Sequence, residues 1–80
     1  NPNKIYTVQV GAYKEMAVAE KVRNKLKIKG YPAYIVEKEI SQEGTIYKVR
    51  VGEMPNRDKA EEMAKRIKEK EKMPTFVTLK

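Results

Sequence analysis

The 80-residue sequence predicts an α+β fold of the ferredoxin-like, split βαβ type. Three observations predict it: an internal repeat, a switch of apolar period within each copy from two to about 3.6, and a turn between the copies. Gly11 recurs as Gly52, so the repeat has an offset of 41 residues. Two βαβ copies, at 5–38 and 45–79, therefore form one domain at 5–80, and residues 1–4 are interpreted as a linker remnant.

The first copy is predicted to run strand, helix, strand. Alternating apolar residues predict a strand at 5–10, which Gly11 is expected to end. Apolar side chains then recur every three or four residues, as on the buried face of a helix, and Gly30 suits its C-terminal cap. The helix positions are Met16, Ala19, Val22 and Leu26. A strand at 33–38 closes the copy.

The second copy follows the same plan after a hairpin turn at 41–44. Gly52 is expected to end its first strand, and Asn56 or Asp58 to cap its helix. A strand at 75–79 completes the copy. Two right-handed βαβ crossovers then give a four-stranded antiparallel sheet of order 4-1-3-2, with two helices on one face and the other face open.

Composition excludes several kinds of site. The chain has no Cys and no His, so a zinc site of these ligands and a nucleophile activated by His are both impossible. We therefore expect no catalysis, metal or cofactor. No apolar run is long enough to span a membrane, so no membrane contact is expected.

The net charge of +7 favours an anionic partner such as nucleic acid or an acidic polysaccharide. However, Lys and Glu alternate along the predicted helices, as they do on any solvated surface.

The open face of the sheet is the candidate binding surface. Its central strands carry an amide and an arginine, Gln9 and Arg50, which should lie close together. Such groups bind hydroxyls and carboxylates, and flanking aromatic rings stack on flat ligands. The candidate residues are Thr7, Gln9, Tyr13, Tyr34, Ile46, Lys48, Arg50 and Phe76. Of these, Tyr13 is predicted to lie past Gly11 in the loop before the first helix, where it either anchors the loop or lines the site. A one-sided antiparallel sheet has a polar outer face in any case, so a merely solvated surface stays open as an alternative.

Two segments carry a family resemblance. The stretch from Tyr6 to Tyr13, YTVQVGAY, resembles the opening strand of SPOR domains, where an aromatic residue precedes Val-Gln-Val-Gly-Ser/Ala-Phe/Tyr. The stretch from Tyr47 to Gly52, YKVRVG, is similar to the second copy in that family, and the resemblance covers residues 5–79. Glu53 departs from the family's usual Pro, and Glu71 stands where the first copy has Gly30.

The resemblance implies a non-catalytic module that binds septal peptidoglycan, preferring denuded glycan strands, and that localises a parent cell-wall or division protein. Gln9 falls on the family's central-strand Gln, so the candidate residues would form the glycan-binding face. Arg50 or Lys48 would meet the muramic acid carboxylates, and Tyr34 would lie against a sugar ring. It also implies a location in the cell envelope outside the cytoplasmic membrane, directed by segments outside this chain, and a monomer within a larger protein.

Three other functions are compatible with this fold. An RNA-binding module of RRM-like fold would use the same face, but it needs aromatic residues on the central strands, where Tyr47 is predicted to point inward. An acylphosphatase-like enzyme would need an Arg in the loop after the first strand, where this chain has Gly11-Ala-Tyr-Lys-Glu. An oligomerisation module could bury the open face against a second copy.

Overall fold

The computed structural model describes residues 4–80, which form one sheet and two helices. The elements in chain order are β1 (Tyr6–Tyr13), α1 (Met16–Ile28), β2 (Ala33–Ile40), β3 (Gly44–Met54), α2 (Arg57–Glu71) and β4 (Phe76–Leu79). A single turn of 3₁₀ helix at Ser41–Glu43 joins β2 to β3. Residues 1–3 of the predicted linker lie outside the described part of the chain.

The sheet has the predicted topology. Its strand order is β2-β3-β1-β4, and every neighbouring pair is antiparallel. This is the order 4-1-3-2 in reverse, so the ferredoxin-like prediction is confirmed. Helix α1 packs mainly against β2 and β3, and α2 packs mainly against β1 and β4. No helix within residues 4–80 has both the length and the apolar character that a membrane crossing requires.

The core lies between the sheet and the two helices, and it uses the alternation predicted from the repeat. The side chains with no solvent exposure include Val8, Val49 and Val51 from the central strands. Leu26 of α1 and Ile67 of α2 are equally buried and face them. Leu26 and Ile67 are equivalent positions of the two copies, so each copy contributes one helix and half of the core.

Two glycines lie inside strands, so the prediction that Gly11 and Gly52 end them is wrong. Strand β1 continues to Tyr13 and β3 to Met54. The β1–β3 register shifts once between Tyr6 and Val8 and once between Gln9 and Gly11, as β-bulges do. Gly52 sits at the first shift with φ of +71°, a conformation that glycine adopts without steric penalty.

Two of the predicted helix caps, Gly30 and Asn56, are present, and Lys72 ends α2. The amides of Gly30 and Tyr31 donate to the carbonyls of Lys27 and Leu26, a Schellman arrangement that ends α1. Asn56, rather than Asp58, caps α2 by accepting a bond from the Lys59 amide at 2.9 Å. The second copy contains one extra residue, so its left-handed position falls on Lys72, with φ of +58°.

One ion pair joins the C-terminal ends of the two helices. The Lys29 ammonium lies 2.8 Å from a carboxylate oxygen of Glu71, whose side chain is 6% exposed. The hydrogen bond from Lys29 to Glu71, together with their charge attraction, raises the pKa of Lys29 above its ordinary value. A carboxylate at a helix C-terminus is unfavourable by itself, so Lys29 supplies the compensating charge.

Candidate functional site

Four candidate residues form a row across the outer face of the sheet, one from each strand. Tyr34 pairs with Arg50, Arg50 with Gln9, and Gln9 with Phe76. Directly paired residues point to the same face, so the four side chains are neighbours. Strands lie about 4.8 Å apart, so this cross-strand row is about 14 Å long. We refer to Tyr34, Arg50, Gln9 and Phe76 as the cross-strand row.

The row has internal symmetry that comes from the repeat. Gln9 and Arg50 are equivalent positions of the two copies, separated by the offset of 41 residues, and they meet at its centre. Tyr34 and Phe76 are equivalent after the one-residue insertion, and they occupy its ends. Along the row, the side chains are therefore an aromatic ring, a cation, an amide and a second aromatic ring. The two ends are equivalent, and only one of the two central positions is charged.

A hydrogen bond connects the two central residues. The Arg50 Nε donates to Oε1 of Gln9 at 3.2 Å. Gln9 is only 8% exposed, so it is less open than the sequence led us to expect. Its carbonyl oxygen holds Arg50, and the terminal guanidinium nitrogens of Arg50 keep their capacity to bind a carboxylate through two parallel bonds. Gln9 is thus chiefly a positioning residue for Arg50.

The two ends of the row differ in hydrogen bonding and exposure. Tyr34 is partly buried, and its hydroxyl donates to Oγ1 of Thr7 at 3.0 Å, which fixes the ring. The Lys80 ammonium lies 5.9 Å from the centre of that ring and pairs with Glu53. Phe76, at the opposite end, is 54% exposed on the short edge strand. The Phe76 ring is therefore the largest open apolar contact of the row.

Thr7 is closed to a ligand, which corrects the expectation that it lines the open face. It is fully buried, and its hydroxyl donates to the carbonyls of Gly52 at 2.8 Å and Val51 at 3.2 Å. The bulge at Gly52 turns these carbonyls toward the hydroxyl. Since Thr7 also accepts from Tyr34, its role is to join β1 to β3 and to position the aromatic end of the row.

Tyr13 lies on the core side of the sheet and not on the open face. It pairs with Tyr47, and both rings pack against the buried core. The extra residue in β1 between Gln9 and Gly11 shifts the alternation by one, so Ala12 takes the outer position opposite Lys48. A Cβ on Gly11 would come within 2.5 Å of the Tyr13 hydroxyl, so the glycine makes room for this ring.

Among the described residues, positive charge accumulates beside the row without a compensating carboxylate. Lys48 follows Arg50 on the same face, and Ile46 lies beyond it opposite Lys38. Partial burial, and then repulsion by Lys38 and Arg50, lowers the pKa of Lys48 below its ordinary value. Within residues 4–80 neither Lys48 nor Arg50 forms an ion pair. A bound anion would relieve this repulsion, so the face is suited to a negatively charged ligand.

Two open depressions flank the row and extend the surface that a ligand can contact. One, of about 260 Å³, lies at the Tyr34 end, and the other, of about 250 Å³, lies between Gln9 and Phe76. The first is lined by Pro32, Tyr34, Gly52 and Glu53, and the second by Gln9, Val10, Gly11, Ala12, Pro74, Thr75 and Phe76. Sequence reasoning missed Ala12 and Glu53, whose places depend on the two bulges. The described residues contain no cluster of side chains that could hold a metal ion.

Comparison with known proteins assigns the family. The SPOR domain model matches residues 2–78, and the chain therefore belongs to the SPOR domain family, as its sequence predicted. Among solved structures, the fold is similar to the solution structure of the peptidoglycan binding domain of the B. subtilis cell wall lytic enzyme CwlC. The TM-score is 0.81 at 29% identity, over 100% of this chain and 94% of that one. No curated protein matches this sequence.

Proposed function

We propose that this domain is a non-catalytic peptidoglycan-binding module that docks denuded glycan strands on the cross-strand row. The observation that carries the proposal is the Arg50 guanidinium, which forms no ion pair within residues 4–80 and is bonded to Gln9 in a row that has an aromatic ring at each end. Membership of the SPOR family and similarity to a peptidoglycan binding domain support the same ligand. The domain would serve to localise a parent cell-wall or division protein.

The preference for denuded strands follows from the chemistry of Arg50. In intact peptidoglycan the lactyl group of muramic acid ends in an amide to the stem peptide, whereas removal of that peptide leaves a carboxylate. A guanidinium binds a carboxylate through charge-assisted hydrogen bonds that are roughly twice as strong as those to a neutral group. Lys48 lies on the same face and adds a second cation. Stripping the peptides therefore creates the group that this site is built to bind.

The neutral parts of the site recognise the sugar rings. Tyr34 and Phe76 present flat apolar surfaces on which the C–H faces of pyranose rings can pack. The Gln9 carbonyl oxygen accepts from Arg50, so Gln9 acts on the glycan chiefly by positioning that guanidinium. The muramic acid carboxylate bound to Arg50 would thus fix the register of the strand. The rings at both ends would fix the line along which the strand crosses the sheet.

The row would bind glycan without cleaving a bond. The row supplies one guanidinium, one amide and two aromatic rings, and this set lacks the nucleophile and base that glycan or peptide hydrolysis requires. We further propose that the domain acts as a monomer in the cell envelope, outside the cytoplasmic membrane. RNA is the less favoured ligand, because the central strands carry Gln9 and Arg50 in the row and the Tyr47 ring packs against the core.

Co-sedimentation with peptidoglycan sacculi tests the proposal. Sacculi are prepared intact and after treatment with an amidase that strips the stem peptides, and single-stranded RNA is tested in parallel at matched salt. We expect retention that rises with stripping and that Arg50→Ala reduces strongly, whereas Arg66→Ala, on an exposed face of α2, leaves retention unchanged. Equal loss in both variants, or RNA binding without sacculus binding, contradicts the proposal.

A further inference from the structure

A second open groove lies beside the row, between α2 and the edge strand β4. It has a volume of about 420 Å³. Its lining residues are Arg57, Glu61, Ala64, Lys65 and Lys68 of α2 and Thr75, Phe76 and Val77 at β4. The Thr75 hydroxyl donates to the Ala64 carbonyl at 3.2 Å, which fixes the floor. We refer to this feature as the α2–β4 groove.

The groove carries more positive than negative charge. Arg57, Lys65 and Lys68 line it together with one carboxylate, that of Glu61. In the part of the chain that the structure describes, neither Lys65 nor Lys68 forms an ion pair. The Arg57 guanidinium lies 5.3 Å from the centre of the Tyr6 ring, a contact that restricts its position. Two exposed lysines and one oriented arginine are thus available to an anion.

The groove is continuous with the cross-strand row through Phe76. This ring ends the row and also lines the groove, and β4 is only four residues long where the two surfaces meet. A polymer longer than the row, about 14 Å, has to leave the sheet at one end. At the Tyr34 end Glu53 and Lys80 pair and cancel each other's charge, whereas at the Phe76 end the strand meets Lys65 and Lys68, which form no ion pair within residues 4–80. Charge therefore directs an anionic strand past Phe76 toward α2.

We propose that the α2–β4 groove is a second subsite, which binds the next carboxylate-bearing sugars of the same glycan strand after it crosses Phe76. This inference rests on the proposed function of the row and adds the path of the strand. Its ligand class is an extended polysaccharide that carries a carboxylate at intervals. Short glycans fill the row alone, whereas long glycans reach both surfaces.

A length series of denuded glycans separates the two sites. Dissociation constants are measured by titration calorimetry for a short oligosaccharide and for a long chain, with the wild type and with the double variant Lys65→Gln, Lys68→Gln. We expect the double variant to bind the short glycan within about twofold of wild type and the long glycan roughly 2- to 30-fold more weakly. The matched control is Lys21→Gln, Lys25→Gln on α1, which changes the net charge equally far from β4.

The outcomes distinguish the groove from the row. Equal losses in the two double variants, or a loss on the short glycan as large as on the long one, overturn the groove subsite while the row stands. A wild type that binds neither glycan overturns the row and the groove together. Both sites are supported if only the Lys65 and Lys68 double variant loses affinity for the long glycan, and if Arg50→Ala still abolishes binding of the short one. The short glycan would then bind to the row, and the long glycan to the row and the groove.

Discussion

Replacing Gln9 with Met removes the acceptor that holds Arg50 while keeping a side chain of similar length. The lost bond joins Gln9 Oε1 to Arg50 Nε at 3.2 Å. Because Arg50 is partly exposed, water can replace the lost partner, so we expect the free energy of unfolding to fall by only about 1 kcal/mol. Gln9 is 8% exposed and the new thioether is apolar, so packing changes little.

The effect on binding comes from the freed guanidinium. Immobilising one long side chain on association costs about 0.5–1.5 kcal/mol. In the wild type, Gln9 already holds Arg50 in place before the glycan binds, so this loss of freedom does not weaken binding. Without Gln9, we expect affinity for denuded glycan to fall roughly 2- to 12-fold. Calorimetric titration of the glycan measures the loss, and urea unfolding measures the stability change. Gln42→Met is the matched control, since Gln42 is exposed in the turn before β3.

A double-mutant cycle decides whether Gln9 acts through Arg50. If it does, Gln9→Met costs little further affinity in an Arg50→Ala background, and the two losses are far from additive. Losses that add to within about 0.5 kcal/mol would refute this reasoning, because Gln9 would then contact the glycan independently of Arg50.

Three further predictions concern stability and its pH dependence. Thr7→Val removes a buried hydroxyl that also accepts from Tyr34, so the free energy of unfolding should fall by about 1–3 kcal/mol in urea titrations. Lys72→Gly removes the steric strain of a left-handed backbone conformation at the end of α2, so the free energy of unfolding, measured by thermal unfolding, should rise by about 1 kcal/mol. Lys29→Gln should destabilise the fold below the ordinary lysine pKa of 10.5, since the folded-state pKa is raised by Glu71. That stability difference should disappear as pH rises through the raised pKa.

Each of these predictions has a result that would contradict it. Unchanged stability in Thr7→Val would mean that the buried hydroxyl bonds contribute nothing. A loss of stability in Lys72→Gly would show that the Lys72 side chain matters more than its backbone conformation. A destabilisation by Lys29→Gln that stays constant above the raised lysine pKa would show that packing, rather than the charge attraction of Glu71, is responsible.

The fold was predictable because the repeat and the change of period agree along the whole chain. Each copy contains the same strand and helix patterns, and equivalent positions such as Leu26 and Ile67 face one core. The helix caps were nearly as predictable, since Gly30 and Asn56 have direct backbone roles. The shifted cap at Lys72 depends on a single inserted residue, whose effect on the backbone only the folded chain reveals.

The site was predictable at its centre and less so at its margins. The repeat alone indicates that Gln9 and Arg50 meet, because equivalent residues of two paired strands lie opposite each other near the symmetry axis. The bulges could not be predicted, since a glycine that ends a strand and one that bulges it have the same sequence signal. They explain why Thr7 is buried under displaced carbonyls and why Tyr13 lies in β1 and faces the core.

The central claim is that the cross-strand row holds the glycan, and an NMR titration tests it most directly. Denuded glycan of defined length is added to the isotope-labelled domain while backbone amide and side-chain resonances are followed. We predict that the largest shift changes occur at Gln9, Tyr34, Arg50 and Phe76, including the Arg50 Nε–H, with the exposed face of α1 unchanged. Largest changes on α1, or none on the row at saturating glycan, would contradict the account.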